Sequence, residues 1–177
     1  MTKKQFLRRM VLPLALLLSA NLCALNISEV KHDFTDDTRV MSFCGVFKVE
    51  NISLQTTPFG KVAVMPKELG GYKNIILTSK TLASNIELCF ESKCEAAACK
   101  ELPKYEIIES IKLKKSGSIL VRVSFDGEMT VVFFVSKHKR AGRDIYRVSS
   151  PQDFKFTDRK YRTRLRDYLI AEVKHLL

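Results

Sequence analysis

The chain is poor in the groups on which enzymes are built. Its 177 residues include three histidines, His32, His138 and His175. They fall in different stretches, and none has a spacing that couples it to a cysteine, a serine or a carboxylate pair, so no acid–base or nucleophilic constellation emerges. Seven glycines yield no phosphate-binding loop, because "ELGGYK" lacks the lysine and hydroxyl spacing such a loop needs. Long apolar runs are also missing. The best, "MVLPLALLLSANLCAL", is broken by Pro13, Ser19 and Asn21 and falls short of the ~20 apolar residues of a comfortable spanning helix. The expectation is a protein that is not an enzyme and carries no cofactor or metal.

What is present is a globular composition, 46% apolar and 28% charged, long enough for one ordinary domain or two very small ones. The net charge of +11 is unevenly spread. Residues 1–25 carry four cations and no anions, residues 26–104 balance ten against ten, and residues 105–177 set sixteen cations against nine anions.

Lys3, Lys4, Arg8 and Arg9 precede the apolar stretch, and Ala24 supplies a small residue before a cut, the layout of a secretory signal. Residues 1–24 are therefore expected to be cleaved on export to the periplasm or cell surface. An uncleaved membrane anchor, or a lipoprotein attached through Cys23, is the less favoured alternative. Removing this segment leaves Cys44, Cys89, Cys94 and Cys99, an even number in a chain bound for an oxidising compartment. Two disulfides follow, in any of three connectivities. Buried free thiols are the alternative. Zinc is disfavoured, since "CFESKCEAAAC" puts four residues between successive cysteines and no histidine is near.

The second half reads as strands and one helix. "ESIKLKKSG" and "SILVRVSF" alternate apolar and polar residues, and Asp126-Gly127 is a two-residue hairpin turn before "EMTVVFFVS", so residues 118–136 form a hairpin. "KHKRAGRD" reads as a polar loop, "IYRVS" as a short strand and "SPQDFKF" as irregular. A helix follows, with Thr157 as N-cap, Asp158 in its first turn, and Tyr161, Leu165, Tyr168, Leu169, Val173 and Leu176 forming the apolar stripe. The first half has a similar plan: "ISEVKHDF", a long strand or hairpin pivoting near Gly45, "GKVAVMP", a short strand in "GGYKNIILTS", and a helix in "SKTLASNIELCF" capped near Ser79. The fold class is α+β. Strand, hairpin, strand, "GYKNI" or "GRDIY", then helix occurs twice, over 25–90 and 105–177, with the cysteine-bearing linker 91–104 between.

"FKVENISLQTTPFGKVAVMP", residues 47–66, resembles without gaps the central block of the SpoVG family of septation regulators, through Phe47, Val49, Asn51, Ile52, Leu54, Gly60, Met65 and Pro66. "GGYKNI" falls where that family has a glycine, aromatic, basic, aspartate, isoleucine signature. "AGRDIY" is its counterpart in the second copy, with Val135-Ser136 replacing the Met-Pro pair. The resemblance implies a small antiparallel sheet with a C-terminal helix, normally dimeric, that binds DNA and RNA. Two copies in one chain would supply the dimer internally, as a monomeric pseudo-dimer.

The cations are the remaining functional signal. Lys137, Lys139, Arg140 and Arg143 lie close together, Arg147 follows, and Arg159, Lys160, Arg162, Arg164 and Arg166 lie on the helix. Phosphate recognition needs several such groups converging on one track. At 100° per residue, Arg159, Arg162 and Arg166 flank one side of the apolar stripe and Lys160 and Arg164 the other, as two borders. The candidate function is binding of nucleic acid or another polyanion by this basic half. The alternative is an envelope protein-interaction or structural module, in which these cations border a covered sheet.

Overall fold

The computed structural model describes residues 25–32, 37–67, 73–94 and 96–177. The expected leader, 1–24, lies outside the described residues, as do Gly70, Gly71 and Tyr72 of the "GGYKNI" stretch. The fold is α+β: among the described residues, ten strands form two antiparallel five-stranded sheets, with two helices. In chain order the elements are β1 (Ile27–His32), β2 (Thr38–Phe43), β3 (Phe47–Thr57), β4 (Gly60–Val64), β5 (Ile75–Leu77), α1 (Lys80–Phe90), β6 (Tyr105–Lys112), β7 (Ile119–Phe125), β8 (Met129–Arg140), β9 (Arg143–Ser149), β10 (Phe154–Phe156) and α2 (Arg159–Val173), closed by a 3-10 turn at Lys174–Leu176. Among the described residues no helix is long and apolar enough to cross a membrane.

One sheet runs β1-β2-β3-β10, with β4 also on β3; the other runs β5-β8-β7-β6, with β9 also on β8. Each sheet thus takes one short strand from the other half of the chain. β5 pairs Ile75 with Val131 and Leu77 with Met129, while β10 pairs Phe154 with Val49 and Phe156 with Phe47. Each of these short strands is followed by a helix with an extended cap residue. Ser79 Oγ accepts the Leu82 N–H, and Asp158 Oδ1 accepts the Tyr161 N–H at 2.8 Å. The cap of α2 is therefore Asp158. Thr157, the cap expected from sequence, instead donates its hydroxyl to the Gly45 carbonyl, because its backbone is already held by Val46.

Tight turns join the long strands. Cys44-Gly45, Asp126-Gly127 and Ala141-Gly142 all place both residues at positive φ, the geometry whose twist matches a two-residue hairpin. The hairpin expected over 118–136 is β7–β8. "KHKRAGRD" is not a loop: residues 137–140 end β8, Arg143 and Asp144 open β9, and only Ala141-Gly142 turns. "SPQDFKF" contains β10, a strand too short for alternation to reveal. "AGRDIY" forms this turn and the start of β9, whereas Lys73 and Asn74 of "GGYKNI" lead into β5. The two stretches hold different places in the strand order. Val135-Ser136, set against Met65-Pro66 from sequence, lies inside β8.

The two sheets share one core. Phe47 of β3 lies 5.1 Å, centroid to centroid, from Phe125 of β7 and 4.8 Å from Phe154 of β10, and Phe154 meets Phe133 edge-on at 5.7 Å. All four rings are buried, so each contributes large apolar area and favoured ring geometry. α1 covers its sheet with Leu82, Ile86 and Cys89. α2 uses Tyr161, Leu165, Leu169 and Val173, whereas Leu176 lies in the closing turn and is only partly buried.

The cysteines form Cys44–Cys99 and Cys89–Cys94, which selects one of the three connectivities. The linker 91–104 is consequently held to the body. Cys99 ties it to the β2–β3 turn, the Ala97 N–H bonds the Ile27 carbonyl, and Pro103 accepts the Tyr161 hydroxyl at 2.9 Å.

Candidate functional site

The longest strand positions the candidate site. β8 pairs with β7 only as far as Val135, opposite Ile119, yet continues to Arg140. Its last five residues pair with β9 alone, from Ser136 opposite Arg147 to Arg140 opposite Arg143. A two-stranded arm therefore projects beyond the sheet, with residues 137–140 exposed.

Alternation along a strand divides the arm's side chains between two faces. Lys137 and Lys139 share a face with Tyr146 and Asp144, their cross-strand partners, in line with Val135 and Val148. Arg140, Arg143 and Arg147 lie on the other face, with His138 and Ile145. The Lys137 ammonium is 2.9 Å from Asp144, and this carboxylate, by hydrogen bond and charge, raises the lysine's pKa further above its ordinary value. Lys139, Arg140, Arg143 and Arg147 have no ion pair among the described residues.

Beside the arm, the β6–β7 loop and the end of the chain close a shallow groove of about 430 Å³, lined by Ser116, Gly117, Ser118, Ser136, Lys137, His138, Lys139 and Leu177. Its hydroxyls, ammonium groups and imidazole are all able to donate hydrogen bonds, a set suited to anionic oxygens. Sequence reasoning missed the loop's share, residues 116–118, although the Asp126-Gly127 turn fixes a register that carries Ser118 to a place opposite Ser136. It also overlooked that residues two apart on a strand share a face: Ser136 Oγ and His138 Nε2 are 3.0 Å apart. His138 is exposed and Ser136 half-buried, and no described residue holds the other ring nitrogen.

None of the helix cations lines the groove beside the arm. Arg162 and Arg166 border a small apolar niche of about 50 Å³ beside Phe133, Val148, Ser150 and Phe156, and Arg166 makes two hydrogen bonds to Asp167. On the other flank of α2, Tyr105 packs against Tyr161 and Tyr168. Arg159, Lys160 and Arg164 are exposed. Arg147 precedes Val148 and points to the opposite sheet face. Of the ten cations, Lys137 and Lys139 line a shared groove, and Arg140, Arg143 and Arg147 form the arm's second face.

Among the described residues no group of three His, Cys, Asp or Glu side chains is placed to hold a metal ion. Set against known proteins, the chain matches no family model, no curated protein and no solved structure.

Proposed function

We propose that this chain is an exported, non-enzymatic binding protein built from two divergent SpoVG-like copies, 25–90 and 105–177, joined as an internal pseudo-dimer, and that its β8–β9 arm binds nucleic acid or another polyanion. The observation that carries the binding reading is the arm itself: a solvated ribbon bearing Lys137, Lys139, Arg140, Arg143 and Arg147 against one acid, Asp144. Support for two copies comes from matched bonds. The N–H groups of Thr78 and Ser79 both reach the Glu128 carbonyl, and those of Thr157 and Asp158 both reach the Val46 carbonyl. The exchanged strands β5 and β10 are what a strand-swapped dimer would leave after fusion into one chain. Export is supported by the two disulfides, which persist in oxidising compartments.

The test is titration of the purified protein with a fluorescent single-stranded and a double-stranded oligonucleotide over a range of salt. Binding through four or five phosphate contacts is expected to weaken steeply, with a log–log slope of about −3 on the single strand and about −4 on the duplex. Substituting Lys139, Arg140, Arg143 and Arg147 by Ala is expected to abolish it while the far-UV spectrum is unchanged. Binding that ignores salt, or survives this change, would remove the arm from the proposal.

A protein partner is the second reading, favoured by one row of side chains. Ile111, Leu120 and Phe134 stand opposite one another across β6, β7 and β8, on the face away from buried Val121 and Val123, and Ile111 is 43% exposed. Recovery of a specific envelope protein, lost on Ile111→Asp and Phe134→Ser, would support it over the polyanion.

A further inference from the structure

Leu25 stands where no ordinary chain interior would need it. Its side chain is buried, 2% exposed, and its backbone nitrogen lies 2.5 Å from Glu128 Oε2. Glu128 is in turn held at the start of α1, where its other oxygen accepts the Ser79 hydroxyl at 3.3 Å. We propose that hydrolysis of the Ala24–Leu25 bond makes Leu25 the first residue, and that its new α-ammonium docks on the Glu128 carboxylate and locks the segment leading into β1 to the β7–β8 turn. This rests on the reading that the leader is removed.

The two halves of the chain argue for it. The carbonyl of Asn26 accepts the Cys44 N–H, and that of Lys104 accepts the Asp126 N–H, so Leu25 and Pro103 precede corresponding residues. Val46 and Glu128 likewise correspond, because each carbonyl receives two N–H groups from the segment that leads into a helix. At one place a nitrogen able to carry hydrogens meets a carboxylate. At the other, the corresponding residues are Pro103, whose nitrogen has no hydrogen, and Val46, whose side chain has no acceptor. An amide N–H would use one donor on this carboxylate, whereas an ammonium brings three donors and a full opposite charge, and charge-assisted bonds are the stronger kind.

The step balances simply. A leader-removing endopeptidase adds one water across the amide; Ala24 keeps the new carboxylate and Leu25 the amine, which takes up the proton.

The experiment begins with the full chain expressed in an exporting host and the N-terminus of the recovered protein read by mass spectrometry. Leu25 is expected as the first residue; any other start overturns processing at this bond, whatever becomes of the ion pair. Stability is then compared by urea unfolding for chains beginning at Leu25 and at Ala24, each with Glu128 or with Glu128→Gln. Glu128→Gln is expected to lower the folding constant of the Leu25 chain about tenfold and that of the Ala24 chain clearly less, since the extra residue turns the ammonium into an amide. Equal losses overturn the docking even where the cut is confirmed. Should the Gln chains not fold, the two Glu128 chains decide it: the Ala24 chain is expected to be about tenfold less stable, and equal stability overturns the docking.

Discussion

Asp126 is the first residue of the β7–β8 turn, at a φ of +49°, a conformation that aspartate and asparagine tolerate better than most side chains. Its Oδ1 accepts the Lys104 N–H at 3.0 Å, while Oδ2 is buried without a hydrogen-bond partner. Burial, reinforced by the charge of Glu128, raises its pKa above the ordinary 3.8 despite the Lys104 bond. The consequence has a definite sign. A carboxyl whose folded pKa is raised favours the fold fully below pH 3.8, and that contribution is lost as pH climbs through the folded value. Asp126→Asn keeps an acceptor for Lys104 and removes the charge. It is therefore expected to raise the unfolding temperature at pH 7, with a gain that shrinks towards zero below pH 3.8, as thermal melts across this range would read. Tyr161 lies on the same seam. Burial, with smaller help from the Asp126 charge, pushes its phenol pKa up, and its hydroxyl donates to the Pro103 carbonyl. Tyr161→Phe leaves that carbonyl without its donor and is expected to cost ~1–3 kcal/mol in urea unfolding.

At the scale of single elements, the two helix caps and the arm show what a sequence can and cannot reveal. Ser79 and Asp158 cap α1 and α2 through their side chains. Asp158→Ala is expected to lower stability by ~1 kcal/mol, and Thr157→Ala, which removes an exposed bond to Gly45, to cost less. A reversal of that order in denaturant titrations would restore Thr157 as the cap. The one-residue misplacement is intrinsic to Thr-Asp, since both residues are good caps and only the hydrogen bond selects between them. The hairpin β7–β8 was legible because Asp126-Gly127 is strong turn chemistry and the flanking residues alternate. The arm was not, because Ala141-Gly142 is a weaker turn signal. Its strands are also wet on both faces, so residues 137–140 carry no apolar period. Cations in a solvated ribbon and cations in a loop look alike in sequence.

At the scale of the whole molecule, the covalent ties and the exchanged strands set the stability. Cys44–Cys99 closes a separation of 55 residues and Cys89–Cys94 one of 5. By loop-closure entropy the first is expected to contribute about 4 kcal/mol and the second about 2 kcal/mol. Replacing Cys44 and Cys99 by Ala should thus lower the urea midpoint well beyond the change from replacing Cys89 and Cys94. Because β5 pairs with β8 and β10 with β3, neither 25–90 nor 105–177 carries a complete sheet of its own. Expressed separately, each is expected to be unfolded, or to pair with its own copy as a homodimer, while the intact chain runs as a monomer in light scattering. An intact chain that is an obligate dimer would count against the internal pseudo-dimer.

Local chemistry in the sequence determined the class of fold, the β7–β8 hairpin and its register, both helices, four of the six apolar positions expected to be covered on α2, and the presence of four cysteines for pairing. Each of these depends on residues close in the chain, through alternation, turn conformation or capping. Tertiary structure alone decided which cysteines pair, which strands the short segments at Ile75 and Phe154 join, and which cations share a groove. Those outcomes depend on contacts between residues tens of positions apart, where no local period records the partner. Leu25 makes the point most sharply, as an unexceptional leucine in sequence that is buried two residues before β1 with its backbone nitrogen on the carboxylate of Glu128, 103 positions away.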